Sequence, residues 1–157
     1  MTMWGLKESW CRRSFACALV AAAAAMPASR ADAAATCTVS TTGVAFGAYN
    51  PRSSTATTGV GTVTVTCSGN VGTMTLSSGT GQSGTYSSRV MKSGTSSLNY
   101  NLYTTSSYAT VWGNGTSGSA TRSLSAAGSY TVYGRIPALQ NVAAGTYTDN
   151  VVVTLTY

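Results

Sequence analysis

The amino-acid sequence predicts an all-β protein built as a two-sheet sandwich, and three observations carry that expectation. No stretch sustains the 3.6-residue apolar period of an amphipathic helix. Short runs rich in Val, Thr, Tyr and Leu recur instead, punctuated by Gly, Ser and Asn. Several runs alternate cleanly, so one face is wet and the other buried: Val63, Val65 and Cys67 against Thr62, Thr64 and Thr66, and Leu98, Tyr100 and Leu102 against Asn99 and Asn101. Many short strands joined by frequent turns favour two stacked sheets.

The first 33 residues are expected to be a signal peptide rather than part of this domain. Lys7, Arg12 and Arg13 supply a basic start, Phe15 to Met26 an apolar centre, and Ala31-Asp32-Ala33 or Ala33-Ala34-Ala35 a small-residue cleavage site, with the cut placed after Ala33. An apolar centre of 12 residues is too short for a bilayer, which takes roughly 20. Cys17 and Cys37 both lack the flanking pattern of a lipid-attachment site. Residues 34–157 are then one exported domain without a membrane span.

The expected strands are, in order, Thr36 to Val39, Val44 to Phe46, Gly61 to Cys67, Thr73 to Ser77, Arg89 to Lys92, Leu98 to Thr104, Tyr130 to Ile136 and Tyr147 to Tyr157. Between them, SSGTGQSGTYSS (77–88) and GNGTSGSATRS (113–123) are rich in Gly and Ser and are expected as loops. Asn114-Gly115 reads as a turn, and that reading outweighs the glycosylation sequon formed with Thr116. In the last strand Tyr147, Val151, Val153, Leu155 and Tyr157 form an apolar face opposite Thr146, Thr148, Asn150, Thr154 and Thr156. The chain ends inside that strand.

Charge and cysteine content narrow the function. Beyond residue 33 the basic residues are Arg52, Arg89, Lys92, Arg122 and Arg135 against Asp149 alone, a net charge of +4. They are scattered, without the basic run that marks nucleic-acid binding. Cys37 and Cys67 remain as one pair, which in an oxidising compartment is expected to form a disulfide. Closing a loop of about 30 residues restricts the unfolded chain by roughly 3.5 kcal/mol on the entropic account.

Catalysis and cofactor binding are not expected. The chain has no histidine, and the domain has a single carboxylate side chain, so carboxylate pairs, histidine triads and histidine metal sites are all missing. Lys92-Ser93-Gly94 resembles an element of serine acyl-transferases, but Arg89 stands where the nucleophile motif would begin, so the triplet reads as a strand end entering a turn. No phosphate-cradling glycine motif precedes a helix. Tyr86, Tyr100, Tyr103, Tyr108, Trp112, Tyr130, Tyr133 and Tyr147 could stack on sugar rings, although most should serve as core or cross-strand pairs. Trp112, in its glycine-rich loop, is the candidate ligand contact.

Four segments then fall in a familiar order: CTVSTTGVAFGAYNP (37–51), GTVTVTC (61–67), TVWGNGT (110–116) and VYGRIPALQNVAAGTYTDNVVVTLTY (132–157). Together they resemble the spore coat protein U domain family, the subunits of Csu-type archaic chaperone–usher pili. The resemblance implies an incomplete immunoglobulin-like sandwich lacking its last strand, with a disulfide from Cys37 to Cys67. It implies a periplasmic pilus chaperone, an outer-membrane usher and a neighbouring pilin as partners, and a final place at the cell surface. Gly145, Tyr147, Val151, Val153, Leu155 and Tyr157 would border the groove that a donated strand fills. Polymerising members carry large apolar residues before the first cysteine, whereas Ala34-Ala35-Thr36 stand here, so a tip or terminal position is expected. The alternative reading is a self-standing secreted adhesin or carbohydrate-binding module.

Overall fold

A computed structural model describes residues 34–157. The expected signal peptide lies outside the described residues. Eight strands form, all paired antiparallel: β1 (Thr36–Ala45), β2 (Thr57–Ser68), β3 (Met74–Ser78), β4 (Arg89–Ser93), β5 (Ser96–Tyr103), β6 (Arg122–Leu124), β7 (Gly128–Ile136) and β8 (Val153–Thr156). The regular helical structure among the described residues is one 3-10 turn, Gly81–Ser83, and no helix there is long and apolar enough to cross a membrane.

The strands divide into a five-stranded sheet, ordered β1-β2-β7-β5-β4, and a three-stranded sheet, ordered β6-β3-β8. Their inner faces meet in a core of Val63, Val65, Met74, Leu76, Leu98, Leu102, Leu124, Val132 and Ile136, each no more than 6% exposed. The alternation seen in the sequence decides which residues these are, because a period of two sends every second side chain inward. Cys37 and Cys67 face each other across β1 and β2 and are joined by a disulfide. That bond fixes the outermost strand of the large sheet to its one neighbour.

Three expected boundaries change. The run 36–39 and most of the run 44–46 belong to one strand, which ends at Ala45 and whose register shifts between Thr42 and Ala45. That irregularity lets one strand look like two short ones. A short strand, β6, begins inside the expected loop because Leu124, 2% exposed, pairs with Met74 at the core. The expected strand from Tyr147 to Tyr157 is regular only from Val153 to Thr156. Upstream the segment changes partner: Thr148 exchanges backbone hydrogen bonds with Lys92 on β4, and the Val152 carbonyl accepts from Gly79 beside β3. A segment that passes from one sheet to the other cannot keep a continuous ladder with either.

Glycines beneath the end of β1 set its path, Gly59, Gly61 and Gly134 among them. A methyl group on Gly61 would lie 2.8 Å from the Thr42 carbonyl oxygen and 3.0 Å from the Val44 nitrogen, and one on Gly134 would meet Val44 and Phe46 at 2.6 and 2.5 Å. Backbone cannot approach so closely over any other residue. The end of β1 therefore lies flat across β2 and β7. Gly61→Ala should push it off, costing about 1–3 kcal/mol by overpacking. Gly43→Ala, with nothing near its methyl group, should stay within about 0.5 kcal/mol of wild type. Urea unfolding of both variants measures the difference.

Candidate binding groove

β1 is one edge of the large sheet and β8 one edge of the small one. Between β1 and the C-terminal segment the sandwich is open. One cavity of about 450 Å³ is lined by Thr41 to Val44 and Phe46 on one side and by Tyr147 to Val153 on the other, over a floor of Val63, Met91, Tyr100, Leu102, Trp112 and Val132. A second, of about 650 Å³, continues from Val44 to Tyr49 and Pro51 against Val142 to Tyr147. Both share Val44, Phe46, Met91 and Tyr147. The result is one long furrow between two strand edges.

Its walls carry the sign of a missing cover. Val44 and Phe46 on one side and Tyr147, Val151 and Val153 on the other pack on the core yet stay half-buried, as do Val39 and Leu155 beyond the cavities. From residue 146 to 156 every odd position is half-buried and every even position exposed. The alternation read from the sequence thus persists through backbone that is no longer regular strand. Asp149 falls on the inward side too, a polar residue at an apolar phase.

Of the groove residues expected from the sequence, Tyr147, Val151 and Val153 line the 450 Å³ cavity and Gly145 and Tyr147 the 650 Å³ one. Leu155 is half-buried above them, while Tyr157 is 56% exposed and borders neither cavity. Trp112, the candidate ligand contact, is 3% exposed: it forms part of the floor of the 450 Å³ cavity, and its indole N–H donates to the Leu76 carbonyl at 3.2 Å. A glycine-rich loop does not keep a tryptophan at the surface when its ring can fill the core. Lys92-Ser93-Gly94 closes a tight hairpin, with Gly94 at φ +56° and Lys92 Nζ on Ser97 Oγ at 2.6 Å.

Two polar clusters hold the groove's frame, and composition alone revealed neither. Arg89 on β4 is fully buried. Its guanidinium donates to the Gly79 carbonyl at 2.7 Å, the Trp112 carbonyl at 2.7 Å, Ser78 Oγ at 3.0 Å and Asn101 Oδ1 at 2.6 Å. It thereby ties β4 and β5 in one sheet to the end of β3 in the other. The sequence signal was its phase: Arg89 and Met91 share the inward face of β4. Burial lowers its pKa from the ordinary 12.5, and nearby Tyr100, Tyr86 and Asp149 oppose that shift.

Asp149 pins the C-terminal wall. Its carboxylate accepts from the Tyr100 hydroxyl at 2.7 Å and from the Gln82 backbone N–H at 2.9 Å, and it fills the space over Gly81. Burial, and then that hydrogen bond to a carboxylate, push the Tyr100 hydroxyl well above its ordinary pKa of 10.0. Among the described residues no group of His, Cys, Asp and Glu could hold a metal ion.

Fold and groove together define a class: an incomplete immunoglobulin-like sandwich whose two edge strands face each other across an apolar furrow. The chain belongs to the Spore Coat Protein U domain family, whose sequence profile matches residues 22–154. Among solved structures it is similar to the chaperone–tip adhesion subunit pre-assembly complex, CsuC-CsuE, from archaic chaperone-usher Csu pili of Acinetobacter baumannii. The TM-score is 0.55 at 24% identity, covering 79% of this chain and 40% of that one. At that identity the likeness is one of fold, and this chain spans less than half the length of the one it matches. No curated protein matches the chain.

Two outcomes follow from the clusters. Arg89→Met should cost about 3–5 kcal/mol in urea unfolding, because four acceptors lose a buried cation. Arg89→Lys should recover only part of it, since an ammonium cannot reproduce the planar fork. For Tyr100 the raised pKa means that the folded state keeps a proton which the unfolded chain releases near pH 10. Its contribution is complete below about pH 10 and is lost as pH rises through the folded-state value. Tyr100→Phe should be less stable at pH 7 and show a shallower alkaline decline, measured by urea midpoints from pH 7 to 11.

Proposed function

We propose that this protein is a structural subunit of an extracellular surface fibre or coat, assembled by accepting a strand into the furrow between β1 and the C-terminal segment. The observation that carries the reading is the pair of facing walls, apolar, half-buried and ending in strand edges. A donated strand would pair with β1 on one side and β8 on the other while its alternate side chains enter the furrow. Each apolar side chain so buried contributes roughly 1.5–3 kcal/mol. Four or five of them would exceed the net stability of many small domains. Assembly then needs no nucleotide, and the lack of proton-transfer groups fits a structural rather than enzymatic role.

Family membership supports the same reading, as does the neighbouring fold, which is described as a tip adhesion subunit held by its chaperone before assembly. By that likeness the partners are a periplasmic chaperone, an outer-membrane usher and an adjacent subunit, and the route is export through the periplasm to the cell surface. In the proposed groove Gly145, Tyr147, Val151, Val153 and Leu155 form one wall, and Tyr157 lies beyond the cavities as a chaperone contact. Ala34 and Ala35 offer only methyl groups to another subunit's furrow. This favours a subunit that receives a strand without giving one, at the tip or end of a fibre.

The test is unfolding of the full exported chain with and without a cognate chaperone or a donor peptide carrying alternate Val, Ile and Phe. The melting temperature should rise by more than about 15 °C with the donor, as expected for stabilisation by several kcal/mol. Val151→Asp should abolish the rise. A chain whose melting temperature ignores every donor would end the proposal.

A further inference from the structure

The outer face of the five-stranded sheet carries a second ordered feature, which meets the furrow only at Ala45. Register aligns Ala45, Val60, Tyr133, Tyr103 and Val111 in a single row across the strands. At the usual strand spacing the row runs about 19 Å. Val60 is 59% exposed, and both tyrosines are half-buried. On one side the neighbouring rows are hydroxyls alone: Thr42, Thr62 and Thr131, then Ser40, Thr64 and Ser129. On the other side stands Arg135, opposite Thr58 and Asn101.

A loop residue completes the surface at a conformational cost. Tyr108 adopts φ +55°, where residues with a side chain are strained, and the Thr104–Thr110 backbone bond closes the loop around it. Its ring packs edge-on against Tyr103, with centroids 5.4 Å apart, and the Arg135 guanidinium lies 5.5 Å from the ring centroid. Neither Tyr108 nor Arg135 is needed by the furrow or the Arg89 cluster. Asp149 is the one carboxylate side chain in residues 34–157 and is taken by Tyr100 and Gln82. The exposed charge at this surface is therefore positive and without an acidic side chain to neutralise it.

We propose that this row is a binding platform for an acidic polysaccharide. Tyrosine faces suit sugar rings, the flanking Ser and Thr hydroxyls can exchange hydrogen bonds with sugar hydroxyls, and Arg135 matches a uronate carboxylate. A linear polymer fits a row one residue wide. The same row is too narrow to be a stable protein interface by itself, since such an interface covers about 800 Å² on each partner. Strain at Tyr108 is compensated by holding Tyr103 and Arg135 in one arrangement before the ligand arrives.

The test uses affinity electrophoresis of the full exported chain in gels containing alginate, a uronate polymer, or dextran, a neutral one. Alginate should retard the protein and dextran should not. Arg135→Gln and Tyr133→Ser should each weaken alginate binding about tenfold or more, the loss expected for a charge-assisted contact or a stacking face. Arg52→Gln removes the same charge from an exposed turn and should leave binding within about twofold, as expected of a charge outside the contact. Equal weakening by Arg52→Gln and Arg135→Gln would reduce the effect to net charge and overturn the platform. So would equal retardation by dextran, no retardation by alginate, or a dimer that Tyr133→Ser abolishes, which would assign the row to a second copy. The furrow plays no part in any of these outcomes, so donor-strand assembly and this platform stand or fall separately.

Discussion

A sandwich left open along one side must be held shut elsewhere, and here one buried guanidinium does much of that. Arg89 reaches from β4, the edge of the large sheet farthest from β1, to Ser78 and Gly79 at the end of β3 and to the backbone of Trp112. Burying a cation without a carboxylate is costly unless its donors are met, and here carbonyls and side-chain oxygens meet them. An aliphatic residue of similar length could fill the volume but would leave the carbonyls of Gly79 and Trp112 without those donors. The fork gives direction as well as attraction. It fixes Trp112, whose ring then forms part of the furrow's floor.

With the frame held this way, the furrow becomes tolerable. An exposed strand edge beside apolar side chains invites association, and secreted domains normally cover it. This one has the disulfide between Cys37 and Cys67 at one end of β1 and the close passage over Gly61 and Gly134 at the other. Both hold the edge strand to its sheet while its outer side remains available. Val44 and Phe46 lie down over Gly134, and Phe46 meets Tyr100 edge-on at 5.8 Å. The wall is therefore preformed, and an incoming strand would meet surface that need not be reorganised.

Much of this was legible from period-two alternation, because which residues face the core depends on little else in a strand. The phase of Val63 and Val65, of Leu98, Tyr100 and Leu102, and of Tyr147 through Leu155 carries directly into the observed burial. What alternation cannot give is the partner of each strand. β6 escaped notice because three residues offer no period, and its place depends on Leu124 finding Met74. The burial of Trp112 was illegible for a related reason: local glycine content describes the backbone, whereas the tertiary fold decides where the ring goes. Arg89 was in phase with Met91, but a charged residue at a core position gives no hint of its acceptors, which come from the end of β3, from β5 and from the loop backbone at Gly79 and Trp112.

The C-terminal wall shows why a departure from ideal strand can serve the groove. Were residues 147–157 one straight strand against β3, their inward side chains would press wholly into the sandwich and leave no furrow. Thr148 pairs instead with β4 and Val152 with Gly79, so Val151 and Val153 sit where the segment crosses from one sheet to the other. That crossing lacks a ladder of its own and needs another anchor. Asp149 provides it, turned inward at the crossing and held by Tyr100 from the large sheet and Gln82 from the 3-10 turn. The domain's one carboxylate side chain thus stands where the backbone changes partner from β4 to Gly79, and a charge that would be wasteful in an ordinary core keeps an open wall in place.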